Sequence, residues 1–295
     1  MTTSDRRTGT STDASAAREL WLRTEPLHAV VYFDETCRGL GRTMGLKGFW
    51  MGYFALRIAP LGPVGPAVAG SALGVFAPGM VARALPAAWA IVPPGEALEW
   101  RAKSTAEALR RVLPQADRLA AALADPLTAI VADAPSLARP LFAANRELCG
   151  RADPVEQLWQ LLTCLREFRG DAHLSALADH GLDAPEALVL AAATGRVPGD
   201  GIRLDRGWTE TEWADAAERL RSRGLLDAGG AVTARGREER DRIEAATDRL
   251  AARLLRPLDE AGREALLDLL AEPAALLRAA GIPPRLNPIG LPPGN

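Results

Sequence analysis

Apolar residues between positions 158 and 172 recur at intervals of three and four, so Leu158, Leu161, Leu162, Leu165, Phe168 and Ala172 share one stripe of a helix. Asp153-Pro154 supplies an N-cap followed by a proline in the first turn, and Gly181 supplies a C-terminal stop. The pattern predicts a central helix over 154–180. Glu156, Gln160, Glu167 and Asp171 fall opposite the stripe and are expected on a solvated face. Arg169 falls inside the stripe, with Arg166 and His173 along its edge. Helical geometry therefore divides the charged run REFRGDAH (166–173). Asp171 and His173 point apart unless Gly170 breaks the helix.

The same reading places the other elements. Residues 16–37 are helical, with a kink or fresh start at Pro26, and Glu25, His28 and Tyr32 then share a face. Gly45 to Ala59 reads as a buried helix containing Arg57. PLGPVGP (60–66) excludes regular helix, a short helix follows at Met80–Leu85, and 94–113 is a surface amphipathic helix. Shorter Ala-rich helices are expected near 115–124 and 135–149. Beyond Asp183 a helix runs to Thr194, and a loop rich in Gly and Pro covers 196–207. Thr209-Glu-Thr-Glu212 is a capping box opening a helix that ends before Gly224. Residues 225–233 read as two short strands around Gly229-Gly230, followed by a long charged helix, 234–256. One or two helices occupy 259–280, before a proline-rich tail.

The fold class expected is mainly α: a multi-helical chain with a C-terminal winged helix-turn-helix-like part carrying one short β-hairpin. Four segments follow: a disordered Ser/Thr-rich tail (1–15), a helical pocket-forming region (16–181), a winged-helix-like region (182–256), and C-terminal helices with the proline-rich tail (257–295). The first segment lacks the apolar core of a signal peptide.

Helix, glycine, hairpin and long helix is the order found in ERLRSRGLLDAGGAVTARGREERDRIEAATDRL (218–250), which resembles the recognition helix, wing and following helix of MarR-type regulators. The chain as a whole resembles the SalK-like helix-turn-helix family of actinobacteria. EPLHAVVYF (25–33), GFWMGYFALRIAPLGPVG (48–65), LREFRGDAH (165–173) and the winged-helix portion carry that resemblance. It implies a cytoplasmic helical protein with a winged-helix-like part and supplies no catalytic residue. Phe168 departs from the family, where histidine is common, which puts a metal role for this position in doubt. The MarR-like part implies DNA contacts by Arg219, Arg221, Arg235 and Arg237, and a homodimer by analogy. Glu210, Glu212, Asp215 and Glu218 oppose the first pair, because acids at the N-terminal end of a recognition helix face phosphates unfavourably.

Composition trims the possibilities. A net charge of −2 over 295 residues argues against a surface dedicated to non-specific nucleic-acid binding. Lysine occurs only at Lys47 and Lys103, a bias that reads as a GC-rich genome and not as phosphate recognition. Cys37, Cys149 and Cys164 form neither a disulfide framework nor a zinc pattern, so a reducing cytoplasmic location is expected. No apolar run reaches the length of a membrane span. P-loop, GxGxxG and GxSxG motifs are absent. His180 is read as a favourable residue at a helix C-terminus, and Cys164 as a thiol without an activating base.

The candidate ligand-binding residues are His28, Tyr32, Arg57, Arg169 and His173, polar anchors in an otherwise apolar pocket for a carboxylate-bearing or aromatic metabolite. An arginine inside an apolar stripe needs an anion, from the protein or from a ligand. The expected function is a ligand-responsive MarR-like transcriptional regulator without a cofactor. The alternative is an enzyme of specialised metabolism, a non-haem iron oxygenase or an acid–base catalyst. Its iron would sit on Glu25, His28 and His173, since Glu-x-x-His is the spacing of ferritin-like carboxylate sites. That arrangement needs Glu167 or Asp171 to turn inward. Otherwise the two histidines are buried and hydrogen-bonded to neighbours such as Tyr32, Glu25 or Arg169.

Overall fold

The structure, a computed structural model, describes residues 3–292, with side chains described from Asp13 onward. The described residues hold fifteen α-helices and no β-strand. The longest interior helix is α10 (Pro154–Asp179), capped as its sequence predicts: the Asp153 carboxylate accepts from the backbone N–H groups of Val155 and Glu156. It runs unbroken through Gly170.

Five helices wrap α10: α1 (Thr3–His28), α7 (Pro94–Val112), α8 (Ala116–Asp133), α9 (Pro140–Arg146) and α14 (Ala234–Ala251). A sixth, α15 (Glu260–Ala279), closes the outer side against α1 and α8. Leu27, Leu109, Leu127, Trp159, Leu162 and Leu270 belong to the core they share. Enclosure on all sides corrects the expectation for the polar face of α10. Gln160, Glu167 and Asp171 are 0%, 2% and 3% exposed, because there is no solvent for that face to meet. The helix over 94–113 is likewise not confined to the surface. Arg101 and Thr105 are buried against α10 and its neighbours.

At the N-terminal end, the expected disordered tail is corrected where side chains are described. Asp13, inside the expected tail, is helical and pairs with Arg263 of α15, and just beyond the tail Ala17 and Leu20 are buried in the core. Residues 1 and 2 lie outside the described residues. Pro26 does not restart the helix. The carbonyl of Leu22, left without a helical donor by the missing proline N–H, accepts from the Arg278 guanidinium at 3.1 Å instead. α1 then ends at His28, and the chain passes through α2 (Val30–Phe33) into α3 (Glu35–Thr43).

A second apolar cluster is built by α4 (Gly48–Ile58), α5 (Pro66–Leu73) and α6 (Pro78–Ala84), with Phe54, Phe76, Val81 and Leu85 inside it. α3 and α4 touch backbone to backbone: a Cβ on Gly41 would lie 2.9 Å from the Gly52 Cα. Only glycines permit that crossing.

The third cluster belongs to α11 (Ala184–Ala193), α13 (Glu210–Ser222) and α14, with Leu190, Ala216, Leu220, Leu225, Val232 and Ile243 buried together, while α12 (Gly199–Asp205) packs Ile202 into the second. Ala176 and Leu177, from the end of α10, lie in the third cluster. Two expectations fail locally. The loop predicted over 196–207 contains α12, and α8 continues past residue 124 through Pro126 to Asp133. The expected β-hairpin reduces to one antiparallel bridge between Leu226 and Val232. The Asp227 side chain stitches the turn by accepting from the Ala231 N–H, and Thr233 is already the N-cap of α14. No residues remain to extend a ladder. None of the helices of the described residues is long and apolar enough to cross a membrane.

Candidate functional site

The five candidate ligand-binding residues do not form one pocket. His28, Tyr32 and Arg57 line a small cavity of about 30 Å3, whereas Arg57, Arg169 and His173 line a second one of about 220 Å3. Arg57 and Glu167 line both, so the ion pair between them, 3.3 Å long, is the partition.

In the smaller cavity the His28 ring stacks on Trp159 and meets Tyr32 edge-on, each at a centroid distance of 5.5 Å. The volume admits about one water molecule. Burial, reinforced by the nearby Arg166, lowers the His28 pKa well below its usual range, so the imidazole is neutral, and its Nδ1 has no hydrogen-bond partner. Arg101 is held beside it by the Leu56 carbonyl and the Asn145 side chain, at 2.9 and 3.3 Å. No carboxylate pairs with it among the described residues, and burial brings its pKa down to about 10.

The larger cavity lies against the C-terminal half of α10. Its α10 wall carries Arg166, Glu167, Arg169, Gly170, Asp171 and His173, and α14 contributes Arg240, Ile243, Glu244 and Thr247 from across the gap. Leu174, Leu188 and Leu73 supply apolar surface, and the C-terminal segment Pro288–Gly290 forms another wall. That segment is tied down by Asn287, which exchanges hydrogen bonds with the Leu291 backbone, and by Arg206, which donates to the Pro288 carbonyl. Gly170 keeps the partition roomy: a Cβ there would stand 3.3 Å from Arg166 Nη1.

Charges inside are paired but uneven. Burial alone would raise the Glu167 carboxyl; Arg166 and Arg57 outweigh it and hold it down to about 2. Glu244 follows the same logic, with Arg240 and Arg196 overcoming burial to hold it at about 2. Asp171 has no such partner. Burial pushes it up to about 6, although it accepts a hydrogen bond from the Phe142 N–H. Burial lowers His173 to about 4, and its Nδ1 lies 3.0 Å from the Thr247 hydroxyl.

The iron arrangement does not assemble. Glu25 leans toward Arg166, 3.8 Å away, while His28 stacks on Trp159 and His173 turns to α14. Among the described residues no three His, Cys, Asp or Glu side chains converge as a metal site. The donors expected to surround an ion are spread over both cavities, His28 in the smaller and Glu25 and His173 in the larger.

Arg166, Glu167, Arg196, Arg240 and Glu244 were not singled out as ligand-contacting from the sequence. One signal was available. The helix 234–251 has few apolar residues for its length, so packing it against a core forces charged side chains inward. Arg240 and Glu244, four residues apart, are the pair that goes in.

The proposed DNA-contacting arginines also separate into two groups. Arg219 is paired with Asp183 and Glu186, at 2.6 and 3.1 Å, and ties α13 to the start of α11. Arg221 pairs with Glu218 on its own helix. Arg235 and Arg237, at the start of α14, are exposed, and no ion pair is formed by either among the described residues. Glu210, Glu212, Asp215 and Glu218 are all exposed on α13.

Fold and site together define an all-helical protein with an internal, arginine-lined cavity. The chain belongs to a helix-turn-helix family whose model matches residues 17–284, a membership that suggests DNA binding. No curated protein and no solved structure matches the chain.

Proposed function

We propose that the protein is a transcriptional regulator of MarR-like organisation, in which a small metabolite in the larger cavity biases the winged-helix part. The observation that carries the reading is the double duty of α14. Its inner face lines the cavity through Arg240, Ile243, Glu244 and Thr247, while its N-terminal cap, Thr233, directly follows the turn closed by the Leu226–Val232 bridge. A ligand that prefers one position of α14 therefore prefers one position of the wing, to the extent of its differential affinity for the two.

The free cations Arg235 and Arg237 are the phosphate contacts in this reading, with Arg219 and Arg221 tied up in pairs. The acidic exposed face of α13 lowers affinity for any sequence, so steady binding needs low salt or a second subunit. A homodimer, and a cytoplasmic location beside the DNA, go with the proposal. The test is a mobility shift of DNA from the protein's own upstream region at low salt. A retarded band that weakens in the Arg235→Ala/Arg237→Ala double variant supports the regulator; no shift at any low salt concentration ends it.

A further inference from the structure

Two carboxylates in the C-terminal half of α14 face four guanidinium groups. Glu244 lies within 2.6 Å of Arg240, 3.2 Å of Arg18, 3.5 Å of Arg196 and 3.6 Å of Arg169. Asp248 shares Arg18 and Arg169, at 3.0 and 2.7 Å, and adds no new cation. His173, beside them, is neutral, so it neither adds to nor offsets the surplus. Arg18 and Arg196 are partly exposed, and Arg169 and Arg240 are largely buried, so the positive excess at this wall of the cavity favours an anion.

Unpaired donors adjoin the cavity. Arg240 Nε and Nη1 are buried without a hydrogen-bond partner, and so are Arg166 Nε and Arg57 Nε at the partition end. Buried guanidinium N–H groups seldom go unpaired unless something absent from the protein chain satisfies them. Water can fill single donors, but the cavity of about 220 Å3 holds the volume of roughly seven waters, and water does not neutralise charge. Much of the remaining wall is apolar: Leu73, Leu174, Leu188, Ala191 and Ile243. A purely ionic ligand leaves those side chains facing empty space, and a purely apolar one leaves the arginines unpaired.

We infer that the cavity binds an amphipathic small molecule whose anionic group is clamped by Arg240 and Arg196 and whose short apolar body lies along Leu174, Leu188 and Ile243. The anionic group is a carboxylate or a phosphate monoester; both present several oxygens to guanidinium donors. The inference rests on the ligand reading above and adds the class of ligand and the residues that select it. Arg196, a quarter exposed, stands at the outer edge of the site, and Arg240 stands deeper.

Calorimetric titration of the full chain with hexanoate, hexyl phosphate and hexanamide tests it. At least one of the two anions binds, hexanamide does not, and Arg240→Met weakens the anion by about tenfold or more. The better of the two anions identifies the head group. Because Arg240→Met removes a partner of Glu244, melting curves accompany it. The edge variant Arg196→Met gives the same weakening if the deeper variant unfolds. Equal binding of hexanamide and hexanoate overturns the inference, as does unchanged affinity in both variants or no binding of any of the three. Anion binding that depends on Arg240, in a chain that shifts no DNA, sinks the regulator and leaves this site standing. DNA binding that responds to another metabolite, with all three probes silent, does the reverse.

Discussion

Arg166, Arg169 and Arg240 lie in the interior with carboxylates against them, whereas Arg219, Arg221, Arg235 and Arg237 lie on the surface of the C-terminal helices α13 and α14. The residue type is the same and the physics is not. In the interior, each guanidinium has lost its water, so its partner is obligatory and a missing one is costly. On the surface, water and salt screen every pair, and an arginine without a partner pays nothing for it. Interior arginines therefore govern stability and ligand choice, and surface ones govern what approaches from solution.

The largest effect that separates the two regions is expected at Glu244. Replacing it with Ala leaves Arg240 and Arg196 without their carboxylate, and destabilisation of about 3–5 kcal/mol is expected in urea unfolding. A loss under about 1 kcal/mol would show that solvent already reaches this cluster and would collapse the contrast.

Asp171 sharpens the comparison from the opposite direction, as a buried acid without an arginine to hold it. Its carboxyl is raised from 3.8 to about 6 in the folded chain. A raised folded value means that its contribution is fully present below 3.8 and is lost as pH rises through about 6. Asp171→Asn keeps an acceptor for the Phe142 N–H and avoids the buried charge. It should stabilise the protein by up to about 3 kcal/mol above pH 6, with the gain vanishing toward pH 4, in melting curves across that range. A pH-independent gain would assign the effect to packing.

Arg219→Ala should cost no more than about 1 kcal/mol despite two short ion pairs, because the side chain is 45% exposed. A loss comparable with that of Glu244→Ala would mean that the α11–α13 contact is as dry as the cavity. Smallest of all, Arg235→Ala and Arg237→Ala should leave stability within about 0.5 kcal/mol. If DNA is bound, each lowers the dependence of log affinity on log salt by about 1.

Where capping and stop signals were strong, sequence and structure agree closely. α10 spans Pro154–Asp179 against an expected 154–180, with Asp153 at the cap that its side chain predicts. Arg57, Arg169 and His173 were placed in a pocket, and all three line the larger cavity. His28 and Tyr32 were grouped with them because periodicity reports faces and not volumes. The Arg57–Glu167 pair that walls them off joins residues 110 positions apart. The expected hairpin is cut to one bridge for a local reason: the turn and the N-cap at Thr233 use up the residues that strands need.

The sequence by itself determined most of the helices, the caps of α10 and α13 and the stripe that α10 turns to its neighbours, because each depends on residues within a turn or two of one another. It also put an arginine in an apolar stripe and so announced a buried anion. Only the tertiary structure decided which anion. Glu167 and Asp171 became interior residues when Arg57 of α4 and the start of α9 covered their side of α10, and Glu244 reached Arg169 from 75 positions away in the chain. Burial is a property of what packs on a face, and no periodicity along one helix records that.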